Sequence, residues 1–163
     1  MVKILLVIDL QKQFRDNEGC YEKCLQYIRK NQNSYCIIGT LFRNSRGSMY
    51  TKHLCWDGCI NAGVQDIEYL FHKMIVKDGY SVDYEELMAA AREAAGPDEK
   101  DPQMSFDIIG CDADACVMAT AFTLWDKKAD FRILSEHIYT TSEEFTKEDV
   151  LKIMRRNFGD CTI

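Results

Sequence analysis

The sequence lacks three features that would each assign it a class. No apolar run approaches the ~20 residues of a membrane-spanning helix. Positive charge is in deficit: 20 Lys and Arg stand against 26 Asp and Glu, a net charge of −6. With no basic cluster denser than Lys152, Arg155 and Arg156, the chain has no electrostatic footprint of a nucleic-acid binder. No Gly-x-Gly-x-x-Gly or phosphate-loop signature occurs, so nothing supports nucleotide binding. Internal repeats and low-complexity segments are also missing. The first apolar run, Ile4–Ile8, is too short for the core of an export signal and stops at Asp9. It reads as a buried strand.

What is present is ordinary globular chemistry. The hydrophobic fraction is 47% and the charged fraction 28%, which argues against disorder, collagen and coiled coil. A length of 163 residues suits one domain over residues 1–163. Eight cysteines are many for that length. Without an export signal, and with enough chain to build a core, they read as reduced thiols in a cytoplasmic protein. Cys20 and Cys24, like Cys55 and Cys59, are four apart and would share a helix face. Zinc sites more often have two intervening residues, so free apolar thiols are the expectation. His53, His72 and His137 fall in no motif and read as surface or packing residues.

Strand and helix patterns alternate along the chain. Ile4–Ile8 is a continuous Leu and β-branched run, the mark of a strand buried on both faces. A helical pattern follows over Glu22–Arg29, then a strand over Tyr35–Thr40. Residues 41–65 read as a long irregular segment, which in a compact domain is usually functional. Met74–Val76 is a third strand. Asp83 with Glu86 resembles a capping box opening a helix that stops at Gly96-Pro97, and residues 96–102 read as a charged surface loop. Phe106–Ile109 is a fourth strand, Ala115–Lys127 a helix and Phe131–Leu134 a fifth strand. Thr146 with Asp149 caps a last helix to about Asn157, and Cys161–Ile163 can add a sixth strand. This alternation predicts an α/β fold: three α/β/α layers around a mainly parallel, Rossmann-like sheet of five or six strands.

Such sheets bind ligands outside the carboxyl ends of their strands. Three chemically useful groups fall there: Asp9 after the first strand, Lys77 after the third and Cys116 after the fourth. A carboxylate can take the proton of a thiol. A lysine and a helix N-terminus both favour thiolate. Unpaired N–H groups in a first helical turn can hold an oxyanion. Singly, Asp9 can cap a turn, Lys77 can be a solvated charge and Cys116 a small core residue. Together they are the parts of a nucleophilic amidase.

The same residues meet a family pattern. Leu6-Val7-Ile8-Asp9-Leu10-Gln11 followed by Phe14 resembles the opening of isochorismatase-like cysteine hydrolases, the superfamily that includes nicotinamidases. Val76-Lys77 with Tyr80-Ser81 is similar to its lysine motif. The run from Ile109 to Val117, then Thr120-Ala121, is similar to its nucleophile motif. The resemblance implies a catalytic triad of Asp9, Lys77 and Cys116. It also implies a non-proline cis peptide between Cys111 and Asp112, with an oxyanion hole from the backbone N–H groups of Asp112 and Cys116. Homo-oligomers, dimers or tetramers with a neighbour's loops closing the pocket, are a further implication. The implied reaction is hydrolysis of a C–N bond in a small amide or ureido substrate through a thioester.

The chain also departs from that pattern. Nicotinamidases carry an Asp-x-His metal motif after the second strand, where this chain reads Thr40-Leu41-Phe42-Arg43-Asn44. No metal and no cofactor are therefore expected, and nicotinamidase activity is not expected either. Isochorismatase itself lacks the cysteine, so Cys116 argues against its ether-cleaving reaction. The acidic Asp112 beside the nucleophile is expected to raise the Cys116 pKa by like-charge repulsion. Phe14, Phe42, Arg43 and Trp56 are the candidate substrate-binding residues, against the alternatives of core packing and a solvated loop. Two other functions compete: a catalytically weak or inactive binding or scaffold protein, and a thiol-redox sensor using Cys111 and Cys116. The apolar residues of Met49–Ile60, with Phe122, Leu124 and Trp125, suggest a homodimer; the same loop as a lid is the alternative.

Overall fold

The computed structural model describes residues 1–16, 18–62, 67–96 and 103–163. Most of the charged loop expected over residues 96–102, and the end of the irregular segment, lie outside the described residues. Five parallel strands form one sheet: β1 (Val2–Ile8), β2 (Cys36–Phe42), β3 (Lys73–Lys77), β4 (Met104–Gly110) and β5 (Asp130–Ile138). Their spatial order is β3-β2-β1-β4-β5. The first three strands step outward one way, and the chain then returns to build β4 and β5 on the other side of β1. The switch point therefore lies between β1 and β4, where an open α/β sheet leaves a crevice.

Reversal of direction moves the crossover helices to the opposite face, as right-handed connections require. Helix α1 (Cys20–Asn31) covers one face with Tyr21, Cys24, Leu25 and Ile28. After the short α2 (Met49–His53), helices α3 (Tyr84–Ala95), α4 (Met118–Asp126) and α5 (Lys147–Phe158) cover the other with Leu87, Ala121, Leu124, Val150 and Met154. In β1 the side chains of Leu5 and Val7 join the first cluster, and those of Ile4, Leu6 and Ile8 the second. All five are fully buried, which explains why that strand is apolar without alternation.

Several sequence expectations change at element ends. Strand β2 runs on through Leu41 and Phe42, so these residues belong to the sheet and not to the following loop. Within the segment expected to be irregular, Ser48 caps α2 by accepting the Thr51 N–H at 3.2 Å. Asp83 accepts the Glu86 N–H at 2.9 Å, which is one arm of the expected capping box. Thr146 and Asp149 make both arms of theirs. The tail forms a single parallel bridge between Ile133 and Thr162, not a sixth strand. The helix expected over Ala115–Lys127 is two pieces: a π-helical turn at Ala113–Val117, then α4. Such turns are rare and concentrate at functional sites.

Candidate active site

The parallel register brings the strand ends level. Ile8 pairs with Gly110, and Phe42 pairs with Lys77. Gly110 has a φ of 115°, and a Cβ there would lie 2.1 Å from the Ile8 carbonyl oxygen. Only glycine lets β4 approach β1 this closely before the chain turns into the loop that carries Cys116. The peptide between Cys111 and Asp112 is cis, as the resemblance implies.

Asp9, Lys77 and Cys116 converge at the switch point. Lys77 Nζ lies 2.6 Å from Asp9 Oδ2 and 3.4 Å from Cys116 Sγ. It also donates to the Gly79 and Tyr80 carbonyls, at 2.9 and 3.0 Å. All three residues are buried: Asp9 is 0%, Lys77 7% and Cys116 8% exposed. Asp9 has a φ of 45°, in the left-handed region that a non-glycine residue enters at a cost. Thr40, from β2, donates its hydroxyl to Asp9 Oδ1 at 2.6 Å and accepts the Asp9 N–H at 3.0 Å.

The charges decide the resting state of the thiol. Burial pushes the Cys116 thiol up, and the Asp9 carboxylate pushes it further; Lys77 pulls the other way. The sum is upward, so the resting sulfur is a thiol and not the preformed thiolate that a lysine and a helix terminus alone suggest. The expected like-charge effect of Asp112 needs correction. Its carboxylate turns to Thr141, accepting the backbone N–H at 2.7 Å and the hydroxyl at 3.0 Å. The carboxylate that acts on Cys116 is that of Asp9.

Burial raises other thiols too: Cys24 is pushed up to about 12 and Cys59 to about 11. Above the ordinary thiol value of ~8.5, the unfolded chain releases protons that the folded chain keeps. The folded state then binds more protons, so stability falls as pH rises. Urea midpoints are expected to drop between about pH 7.5 and about pH 9.5. Equal midpoints would contradict this electrostatic reading.

Aromatic rings cluster beside Asp9, Lys77 and Cys116. Phe14 stacks on Trp56 at 6.2 Å, and Phe42 meets Trp56 at 5.9 Å and Tyr50 at 5.0 Å. Tyr50 in turn meets Tyr80 at 5.0 Å, edge to face. Lys77 Nζ sits 5.2 Å from the centre of the Phe42 ring. Three of the four expected pocket residues, Phe14, Phe42 and Trp56, thus join one cluster beside Asp9, Lys77 and Cys116. Arg43 does not: it is exposed, and its Nε donates to the Ala62 carbonyl at 2.9 Å. Tyr50 and Tyr80 belong to the cluster and had no assigned place in a pocket.

Gln11 went unremarked as a functional residue and anchors this wall. Its side chain mimics a peptide, accepting the Phe42 N–H at 2.6 Å and donating to the Phe42 carbonyl at 3.1 Å. A polar residue three positions past a buried strand, here 1% exposed, was the available signal.

Residues 40–44, at the end of β2 and just past it, do not fit a metal site. The Thr40 hydroxyl is committed to Asp9. Asn44 is 3% exposed and donates to the Trp56 and Gly58 carbonyls while accepting from Ser45 and Ser48. Phe42 and Arg43 offer no ligand atom. Divalent metals need carboxylate, imidazole or thiolate donors that this stretch does not present.

No protein-family model matches the sequence, and no curated protein does. Solved structures do match in fold. Pyrazinamidase of Pyrococcus horikoshii, solved in complex with zinc, superposes with a TM-score of 0.70 at 17% identity, covering 96% of each chain. An isochorismatase-like hydrolase from Alkaliphilus metalliredigens gives 0.72 at 12% identity, covering 96% of this chain and 92% of its own. N-carbamoylsarcosine amidase from Thermoplasma acidophilum gives 0.67 at 16% identity, with 99% and 95% covered. The chain therefore has the fold of the isochorismatase-like hydrolases.

Proposed function

We propose that the protein hydrolyses a C–N bond of a small amide or ureido compound, with Cys116 as nucleophile, Asp9 as general base and Lys77 as the electrostatic partner of both. The observation that carries this reading is the contact of Lys77 Nζ with Asp9 Oδ2 at 2.6 Å and Cys116 Sγ at 3.4 Å, at the switch point of the sheet. The amide-cleaving names of the pyrazinamidase and carbamoylsarcosine amidase that share the fold support it. Asp9 takes the thiol proton as sulfur bonds to the carbonyl carbon. The oxyanion is held by the backbone N–H groups of Asp112 and Cys116. Asp9 returns the proton to the leaving nitrogen, which departs as ammonia or an amine. Water, deprotonated by Asp9, then cleaves the thioester to the acid and restores the thiol. A panel of amides and ureides assayed for nitrogen release, with Cys116→Ala as control, tests the reading. Phe14, Phe42 and Trp56 are its acyl-side wall.

A second reading is favoured by one observation. The triad is almost closed to solvent beneath Tyr50, Trp56 and Tyr80. A protein that kept the fold for binding or scaffolding needs no open path to sulfur. Active-site titration separates the two, since a hydrolase yields a mass-detectable acyl adduct on Cys116 alone.

Assembly and setting complete the proposal. Tyr50 and Trp56 turn in toward the site, so the loop acts as a lid and leaves Met49 and Leu54 exposed. Exposed Phe122 and Trp125 on α4 and Ile153 on α5 extend the apolar surface for a homodimer. Among the described residues no helix is long and apolar enough to cross a membrane, and all eight cysteines are free thiols, in keeping with a cytoplasmic protein. Purified protein is expected to sediment as a dimer and to carry no stoichiometric zinc. A lone species of 18.8 kDa, or one equivalent of metal by elemental analysis, would count against the respective part.

A further inference from the structure

We propose that Thr40 is a positioning residue that fixes which oxygen of Asp9 receives the Cys116 proton, a role that rests on the hydrolase reading above. A hydroxyl has one proton to give. The Asp9 N–H occupies a lone pair of Thr40 Oγ1 at 3.0 Å, and the hydroxyl proton goes to Asp9 Oδ1 at 2.6 Å. Oδ1 thereby already accepts a hydrogen bond from the β2 side. Oδ2 is the oxygen that faces Lys77 at 2.6 Å, and Lys77 in turn reaches Cys116 Sγ. Proton transfer then has one destination: the S–H bond breaks, the proton moves to Oδ2, and the sulfur electron pair forms the bond to the carbonyl carbon.

Burial makes the arrangement matter. Asp9 is 0% and Thr40 3% exposed, so bulk water is poorly placed to stand in for the hydroxyl. The Asp9 backbone lies in the left-handed region, and the bond from its N–H to Thr40 helps hold it there. Thr40 itself is held by β2, whose end is clamped to the turn after β1 by Gln11 on Phe42.

The test uses two variants with opposite consequences. Thr40→Val keeps the shape and removes the hydroxyl; Thr40→Ser keeps the hydroxyl and removes a methyl. A packing role predicts that valine is harmless and serine harmful. A positioning role predicts the reverse. The readout is alkylation of Cys116 by iodoacetamide, followed by peptide mass spectrometry, with exposed Cys55 as internal reference. Thr40→Val is expected to slow Cys116 alkylation about 10- to 100-fold, the effect of one lost hydrogen bond to a charged group. Thr40→Ser is expected to stay within about threefold of the parent. With a substrate in hand, kcat should fall by the same factor while KM changes little. Thr40→Ala supplies a second variant without the hydroxyl. Wild-type rates in Thr40→Val and Thr40→Ala, or equal losses in Thr40→Val and Thr40→Ser, overturn the proposal. A parent protein in which no amide or ureide of the panel leaves an acyl adduct on Cys116 overturns the hydrolase reading itself, and the positioning role with it.

Discussion

Replacement of Cys116 by alanine is expected to lower amide or ureide hydrolysis by about 10³- to 10⁶-fold, the range seen when a nucleophile that acts in concert with its base is removed. The size follows from the sulfur's position. In the proposed thioester route it is the atom that bonds to the carbonyl carbon. Neighbouring Cys111 cannot replace it, because its thiol is buried and donates to the Asp9 carbonyl at 3.3 Å. Cys116→Ala should unfold near the parent midpoint, since the small side chain leaves a small cavity and no charge without a partner. Asp9→Asn is expected to match the loss in rate by removing the base. Retention of more than a tenth of the parent rate in Cys116→Ala, with nitrogen release measured directly, would rule out the thioester route.

The convergence of Asp9, Lys77 and Cys116 was legible in the sequence because these residues sit where apolar strands stop. A buried parallel strand announces itself by a run such as Ile4–Ile8, and the first charged residue after it falls at the edge where ligands bind. Strand ends were less legible. Leu41 and Phe42 continue β2 because Gln11 completes the hydrogen bonds of Phe42, a contact across 31 residues that no local pattern encodes. Asp112 misled for a similar reason. Its proximity to Cys116 in sequence suggested repulsion, but Thr141, 29 residues on, turns its carboxylate aside. Arg43 looked available because it is charged and follows a strand, whereas the Ala62 carbonyl ties its Nε. The start of α1 hides a similar device: Asp16 accepts N–H groups from Glu18, Cys20 and Tyr21 and so caps the helix from outside it. In each case the missing information is a long-range or loop partner, not a misjudged propensity.

Lys77→Met is expected to cost about 3–5 kcal/mol of folding free energy as well as activity, because it strips the counter-charge from a carboxylate with no solvent access. Asp9 would keep the Thr40 hydroxyl on Oδ1 but no cation. The converse change is milder. In Asp9→Asn the Lys77 ammonium still donates to the Gly79 and Tyr80 carbonyls and faces the Phe42 ring. That variant should lose about 1–3 kcal/mol, the scale of one hydrogen bond to a charged group. The double variant Asp9→Asn with Lys77→Met carries neither charge and should recover part of the Lys77→Met loss, a positive coupling in a double-mutant cycle. Against a total stability of about 5–15 kcal/mol, the single Lys77 change is the most damaging substitution at the site. Urea unfolding with an unchanged m-value reads each term. If Lys77→Met lies within about 1 kcal/mol of the parent, the Asp9 carboxylate is not held by this ion pair. The account of Lys77 as the electrostatic partner of Asp9 then fails.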